Sequence, residues 1–509
     1  MKHILVLNMG MKSIRSIIFS AEGEKLAYAA RPLETYLDAD YVLQSPEEWW
    51  EKARTVIRES LVDIDAEQVG YITVTASSSC LVCVDHAGEA IGKCMMVSDK
   101  RGLAEQETLA ANEVFQSLPQ ADMGAGAYPM LLKILWLQKH APEQFGQTNK
   151  FLSPNDFLLG RMTGRYVTDI FNASKYYYDA AHGGYSQPLL QSLGLDVSLL
   201  PEVAPLGTVL GALMEQAATY LGLAPQTEAV LTTYDAICSF FGSGVAEEGT
   251  ASDVSGTVTV FRALSRRQDL RPNKAIFIMP YPDWQLHIVG GSNNLGGGLI
   301  EWVKQCYYQN ETYPYEVMEK DASDARLGAD GLIFLPYLLG ERAPVWNAAA
   351  RGVFFGLERM HTRKEMTRAV FESTGFIDLD MLRAIEATGM KIRRIRLSGG
   401  LARINLISQL KADITGRDIE VLSEFETTST GAAMLALIGV GHFADLAAAA
   451  EVFATVRMII KPNAANHRKY EQLFRLYKDT YHSLEDMFTE RLQVVRSLNH
   501  KHEVRIENL

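Results

Sequence analysis

An α/β protein in two related halves is the architecture this sequence predicts, and two observations carry the prediction. Two hairpin-like segments resemble each other, HILVLNMGMKSIRSIIFSAEGEKLAYAA at the start and GTASDVSGTVTVFRAL midway. Each opens a long stretch in which apolar strand-like runs alternate with helix-like ones. At roughly 150 residues per domain, the 509-residue chain has room for two to four domains and a sizeable core.

The elements follow in order. The first hairpin reads as a β-branched strand, a turn at Gly10, a second strand, and a Glu22-Gly23 turn into a third. Candidate helices cover Pro46–Ser60, Leu131–His140, Ile300–Gln305, Thr362–Thr388 and Leu406–Thr415. The second hairpin turns at Ser255-Gly256-Thr257 and returns through Val258–Phe261, and the Gly-rich FGSGVAEEGT before Asp253 suits a linker. The expected division is therefore 1–247, 248–490 and a polar tail, 491–509. The chain from about His467 is helical and charged, and His500–Leu509 is expected to be mobile.

Composition excludes several classes. With 47% hydrophobic and 22% charged residues the chain is not mainly disordered. Its 49 Lys+Arg against 61 Asp+Glu give a net charge of −12, which disfavours a nucleic-acid partner. The basic stretch Lys391–Arg396 reads as a solvated run leading into a strand. The N-terminal apolar run reaches Asn8, Gly10, Lys12 and Arg15 too soon for a secretory core. The apolar stretch around Gly431–Gly441 falls short of the ~20 residues that span a membrane, so a cytoplasmic protein with no membrane partner is expected. Five cysteines, Cys80, Cys83, Cys94, Cys238 and Cys306, fit reduced thiols. Cys80 and Cys83 fall on opposite faces of an apolar run with no second pair at zinc spacing, and read as buried structural residues.

Four Gly-rich turns follow apolar strands, the way backbone N–H groups are presented to phosphate. They are Asn8–Ser13, Ser255-Gly256-Thr257, Gly290–Asn294 with Gly296–Gly298, and Ser398-Gly399-Gly400. None is a P-loop or a G-x-G-x-x-G before a long helix. Singly each is an ordinary tight turn; paired between the halves they suggest a nucleotide held in a cleft between two domains. Asp235 follows the apolar run Ala229–Leu231 and precedes Ala236–Phe241, a position for a general base, a metal ligand or a helix cap.

Several longer segments, in order, resemble the FGGY carbohydrate kinases. They are Lys133–His140, Phe151–Leu158 with Arg161–Gly164 and Thr168-Asp169, Phe334–Pro344 and Arg351–Leu357. Gly399-Gly400, Asn405, Gln409, Ala412-Asp413, Glu426-Thr427-Thr428 and Gly431-Ala432-Ala433 complete the pattern on the nucleotide side. The resemblance spans roughly residues 3–485 and is strongest to xylulokinases. It implies two RNase-H-like domains of the actin/hexokinase/heat-shock ATPase type around a central cleft, and an ATP-dependent, Mg²⁺-assisted sugar kinase.

By that resemblance, Asp235 takes the proton of the attacking hydroxyl and contacts the sugar. Gly10, Lys12, Ser13 and Arg15 form the first phosphate loop, Gly256 and Thr257 the second, and Gly399, Gly400 and Asn405 lie at the adenosine. Ser78, Ser79, Asp99 and Arg101 face the sugar, and Asn8 (through water) and Asp235 are the metal-side groups.

Three departures stand out. The first loop, usually Asp-x-Gly-Thr, is Asn8-Met9-Gly10-Met11, which lowers the expected metal affinity. The pentulokinase Gly-Gln-Met-His-Gly is Ala76-Ser77-Ser78-Ser79-Cys80, and the Trp of W-x-D-x-R is Val97. The resemblance implies a ketopentose such as D-xylulose as acceptor. It leaves gluconate, ribulose, another polyol, a weakened sugar- or nucleotide-binding sensor, and a homodimer open.

Overall fold

The computed structural model describes residues 2–118, 125–180, 182–271 and 273–503, and the last six residues of the expected mobile stretch lie outside them. The chain divides into two compact units. The first comprises 1–244, 281–284 and 426–454; the second comprises 245–280, 285–425 and 455–509. A linear division near residue 247 therefore omits a return: residues 426–454, read from the sequence with the nucleotide side, pack within the first unit.

The first unit is built on a six-stranded mixed sheet. Strands β1 (His3–Met9), β2 (Ser13–Phe19) and β3 (Lys25–Pro32) form the antiparallel meander expected from the opening hairpin. Helix α1 (Pro46–Ser60) starts where Ser45 accepts from the Glu48 N–H, with Pro46 in the first turn and Glu47 and Glu48 at the positive end of the dipole. Strand β4 (Val69–Ala76) lies parallel to β1. Helix α2 (Pro129–His140) is apolar nearly all round, and α3 (Pro154–Thr163) opens on a reciprocal Ser153–Asp156 capping box. Strands β5 (Val209–Ala212) and β6 (Glu228–Val230) complete the sheet in the order β5-β6-β4-β1-β2-β3. Almost every residue of β1 and β4 is buried, as expected of central strands covered on both faces.

Helix α4 (Asp235–Gly242) follows β6, and the helix Thr427–Gly439 packs on it backbone to backbone. A Cβ at Gly242 would meet the Thr427 carbonyl oxygen at 1.9 Å, and one at Gly431 would meet that of Cys238 at 1.8 Å. Only glycine fits at either position. This crossing joins the late segment to the first unit.

The second unit repeats the theme with a seven-stranded sheet. It contains β7 (Thr250–Ser255), β8 (Thr259–Ser265), β9 (Phe277–Tyr281) and β10 (Leu286–Ser292). Helices α5 (Gly297–Tyr307) and α6 (Arg363–Ala387) follow, then β11 (Arg394–Ser398), α7 (Asn405–Thr415), β12 (Asp418–Leu422) and β13 (Val456–Ile460). Strand order is β9-β10-β8-β7-β11-β12-β13, with β7 parallel to β11 and β11 to β12. The basic run Lys391–Arg396 leads into β11 as expected, with Arg394 and Arg396 paired to Glu420. The closing helix α8 (Ala464–Glu503) buries Tyr470, Phe474, Tyr477, Tyr481 and Phe488, a stripe at three-, four- and seven-residue spacing.

Cys80, Cys83, Cys94 and Cys238 are free and buried, and Cys306 is free and exposed. Cys80 and Cys83 enter different apolar clusters, as their alternation predicts. Among the described residues no helix is long and apolar enough to cross a membrane.

Candidate active site

In the first unit the polar groups gather where β1, β4 and β6 end. In open α/β sheets the carboxyl ends of parallel strands are where ligands bind, because the loops that follow leave backbone groups unpaired. Gly10 makes the tight turn after β1, its N–H donating to the Ser13 carbonyl at 3.0 Å. The Ser77 N–H donates to the Met9 carbonyl at 3.2 Å, so the loop after β4 leaves beside that turn. Lys12 is exposed, and the Arg15 guanidinium donates to the Ser13 hydroxyl at 3.2 Å and reaches Glu426 at 3.5 Å.

Asp235 is the first residue of α4, and the cap position belongs to Tyr234, whose side chain does no capping. The half-buried Asp235 carboxylate accepts from the Ala236 N–H at 2.7 Å, while the Ser77 hydroxyl donates to its other oxygen at 3.4 Å. Asp235 thus meets a first-turn N–H of α4 with one oxygen and faces Ser77 with the other. The start of α4 is itself held from below. Thr233 donates to Asp169 at 2.8 Å, and the Asn155 amide donates to the carbonyls of Val74 and Thr233 at 3.2 and 3.1 Å. Asp169 and Asp156 are fully buried; burial pushes Asp169 up to about 6, and burial together with Asp169 pushes Asp156 up to about 8.

Asn8, next to last in β1, has its side chain turned to the returning segment. Its amide donates to Glu426 Oε1 at 3.0 Å and to Ser429 Oγ at 2.9 Å. The oxygen-bearing side chains here, Asn8, Glu426 and Asp235, suit a hard cation such as Mg²⁺. Among the described residues no group of three His, Cys, Asp or Glu side chains forms a metal cage.

Ser78 and Ser79 follow β4, their hydroxyls 3.2 Å apart, with Ser79 in the left-handed region at φ 61°. The Asp99 side chain is fully buried and points at protein groups, accepting from Arg101 Nε at 2.9 Å, Arg101 Nη2 at 2.8 Å and the Val42 N–H at 3.1 Å. It is a bidentate holder of Arg101, whose guanidinium also lies 4.1 Å from the Tyr41 ring and 4.6 Å from the Trp136 ring.

Lys133 opens the Lys133–His140 segment that carries the family resemblance. It is 2% exposed, and its ammonium donates to the carbonyls of Ser79 and Met96 at 2.6 Å each and of Met95 at 3.3 Å. Burial pushes its ammonium below the usual lysine range. One cation thus ties the strained Ser79 turn to the segment leading into Asp99. The signal was a lone lysine inside the apolar run LLKILWL, three residues before Trp136 on one helical turn.

The second unit carries the other turns. Gly256 and Thr257 are exposed at the hairpin tip between β7 and β8. Their carbonyls accept from the N–H groups of Gly297 and Gly296, each at 2.8 Å, so the glycine segment before α5 braces the tip from one side. Gly399, at φ +84°, lies against the root of the same hairpin, where a Cβ would meet the Ser255 carbonyl oxygen at 2.5 Å. Gly400 is exposed beside it and Asn405 is the exposed first residue of α7. Glu341 accepts from the N–H groups of Asn294 and Arg342 at 2.7 Å each, and burial pushes its carboxyl up to about 7.

Comparison with known proteins identifies the family. Residues 3–242 match the N-terminal domain of the FGGY family of carbohydrate kinases, and residues 251–440 match its C-terminal domain. The chain is 25% identical over 495 residues to a xylulose kinase of Bacillus subtilis, covering 96% of this chain and 98% of that one. It is 24% identical over 515 residues to a gluconokinase of the same organism, covering 97% and 99%. The crystal structure of a ligand-bound xylulose kinase from Lactobacillus acidophilus superposes with a TM-score of 0.88 at 25% identity, over 96% of this chain and all of the other.

Proposed function

Because the chain belongs to the FGGY family of carbohydrate kinases and is itself a carbohydrate kinase, we propose that it transfers the γ-phosphoryl group of ATP to a hydroxyl of a ketopentose such as D-xylulose. The observation that carries this reading is Asp235, a half-buried carboxylate at the start of α4 and in hydrogen-bond reach of Ser77. In the proposed reaction Asp235 takes the proton of the attacking hydroxyl as the new O–P bond forms and the bond to ADP breaks. Phosphoryl transfer is mostly positioning and charge neutralisation. Gly10, Lys12, Ser13 and Arg15, with the Gly256-Thr257 turn, supply the amides and cations that hold the phosphates. Gly399, Gly400 and Asn405 serve the adenosine. Mg²⁺, when bound, would supply further neutralisation of phosphate charge, with Asn8, through water, and Asp235 as the groups to hold it.

For the sugar we assign Ser78, Ser79 and Arg101 as the contacting groups, with Asp99 and Lys133 holding them. D-Xylulose is supported by the 25% identity to a xylulose kinase, and gluconate stands close behind at 24%. The serine-rich Ser77–Ser79 turn in place of the usual pentulokinase residues favours testing both. The test is ADP release with Mg·ATP over a panel of D-xylulose, D-ribulose, gluconate and glycerol. D-Xylulose giving the highest kcat/KM supports the assignment, and a higher value for another acceptor replaces it. No acceptor exceeding the D235A background, with ligand still bound, would instead support a binding role, the reading that Asn8 and Met11 favour.

A further inference from the structure

Beneath the Ser255–Thr257 turn lies an ion cluster that none of the proposed roles uses. Lys411 on α7 donates to Asp253 on β7 and to Asp378 on α6, each at 2.5 Å, and all three side chains are completely buried. A buried ionic group is no better for stability than well-packed apolar residues, so its presence calls for another reason. The hydrogen bonds indicate one. The Ser255 hydroxyl donates to Asp253 Oδ1 at 2.6 Å, lies 3.3 Å from the Lys411 ammonium, and is 3.1 Å from the Thr259 hydroxyl. Ser255 and Thr259 are the cross-strand pair that closes the hairpin. The cluster thus grips both roots of the turn, Gly399 wedges against the Ser255 backbone, and the carbonyls of Gly256 and Thr257 are taken by Gly297 and Gly296. Gly256 and Thr257 keep an exposed outer side.

We infer that Lys411, with Asp253 and Asp378, is a positioning cluster that fixes the Ser255–Thr257 turn for nucleotide phosphate; this rests on the reading of Gly256-Thr257 as a phosphate loop. The two carboxylates are not equivalent. Asp253 receives both Lys411 and Ser255, whereas Asp378 receives Lys411 at one oxygen and, among the described residues, no hydrogen bond at the other. Burial and the neighbouring Asp253 hold the Asp378 carboxyl well above the usual range, and a protonated Asp378 leaves the cluster neutral. The grip on the turn therefore runs through Asp253 and Ser255.

The test uses the full chain and the variants D253N, D378N and S255A, titrated calorimetrically with Mg·ATP alone and then assayed for KM of ATP and of sugar. D253N and S255A are expected to weaken Mg·ATP binding at least fivefold with the sugar KM within twofold, and D378N to weaken it less than D253N. A purely structural cluster would lower melting temperature and leave nucleotide affinity untouched. Mg·ATP affinity within twofold of wild type in folded S255A overturns the inference; that variant removes one hydroxyl and decides the matter even where D253N fails to fold. A wild type that binds Mg·ATP but phosphorylates none of the sugars overturns the proposed reaction instead, and the nucleotide titration still judges the cluster.

Discussion

Asn8 and Glu426 are 418 positions apart in the chain and 3.0 Å apart in the fold, joined by a hydrogen bond from the Asn8 amide to Glu426 Oε1. The residue that departs from the usual aspartate of the first phosphate loop is thus a donor to a carboxylate. An aspartate at that position would instead set two carboxylates against each other, a repulsion that a bound cation would relieve.

N8D therefore exchanges a hydrogen bond for a metal requirement. A hydrogen bond to a charged group contributes about 1.5–3 kcal/mol. The variant is expected to melt several degrees lower without Mg²⁺, to regain most of the loss when Mg²⁺ is added, and to reach half-maximal activity at lower Mg²⁺. Thermal melts and metal titrations of both proteins check this. An identical Mg²⁺ response would assign the ion to other groups.

D235N keeps the shape of the side chain and its acceptor for the Ala236 N–H, but cannot take a proton. Loss of a general base is worth about 10²–10⁴ in rate, so kcat should fall by that amount while Mg·ATP affinity stays within about twofold. Turnover near the wild-type rate would leave Asp235 with no role in the chemistry.

K133M removes the ammonium that donates to the carbonyls of Ser79, Met95 and Met96, of which Met95 keeps the Leu81 N–H and Met96 the Asp99 N–H. Depriving the Ser79 carbonyl of its donor costs about 1–3 kcal/mol, partly offset because methionine carries no charge into the interior. We expect a net loss of about 1–2 kcal/mol in urea unfolding on that basis, and a sugar KM raised at least fivefold with the KM of ATP little changed. Equal increases in both constants would mean that the effect is a general loosening of the unit.

The Asp156–Asp169 pair should make stability pH-dependent with a definite sign. Burial raises both carboxyls, Asp156 to about 8 and Asp169 to about 6, so the folded chain binds more protons than the unfolded one above the ordinary carboxylate range. The pair's contribution is complete below that range and is lost as pH rises, for Asp169 through about 6 and for Asp156 through about 8. In D156N, where the amide oxygen still accepts from Ser153, melting temperature should fall less steeply between pH 5 and 8. Parallel profiles for the two proteins would contradict the assignment.

Local pattern determined a good deal of this molecule. Strands β1 to β3, helices at Pro46–Ser60 and Asn405–Thr415, and the turns at Gly10 and Gly256 form largely where β-branched runs, apolar spacing and glycine place them. These are decided by residues within a few positions of one another, and so is the family resemblance, which rests on short segments in order. What those segments join was decided by packing. Gly431 is indistinguishable in the sequence from any small residue in an apolar helix, yet its missing Cβ lets the Thr427–Gly439 helix lie on α4 and carry Glu426 to Asn8. Asp99 reads as a ligand group until its oxygens are seen to be taken by Arg101 and Val42. Lys133 and Lys411 read as ordinary charges until burial requires them to be paired. A charge's worth depends on what surrounds it at 3 Å, and in this chain those neighbours come from strands and helices tens to hundreds of residues away.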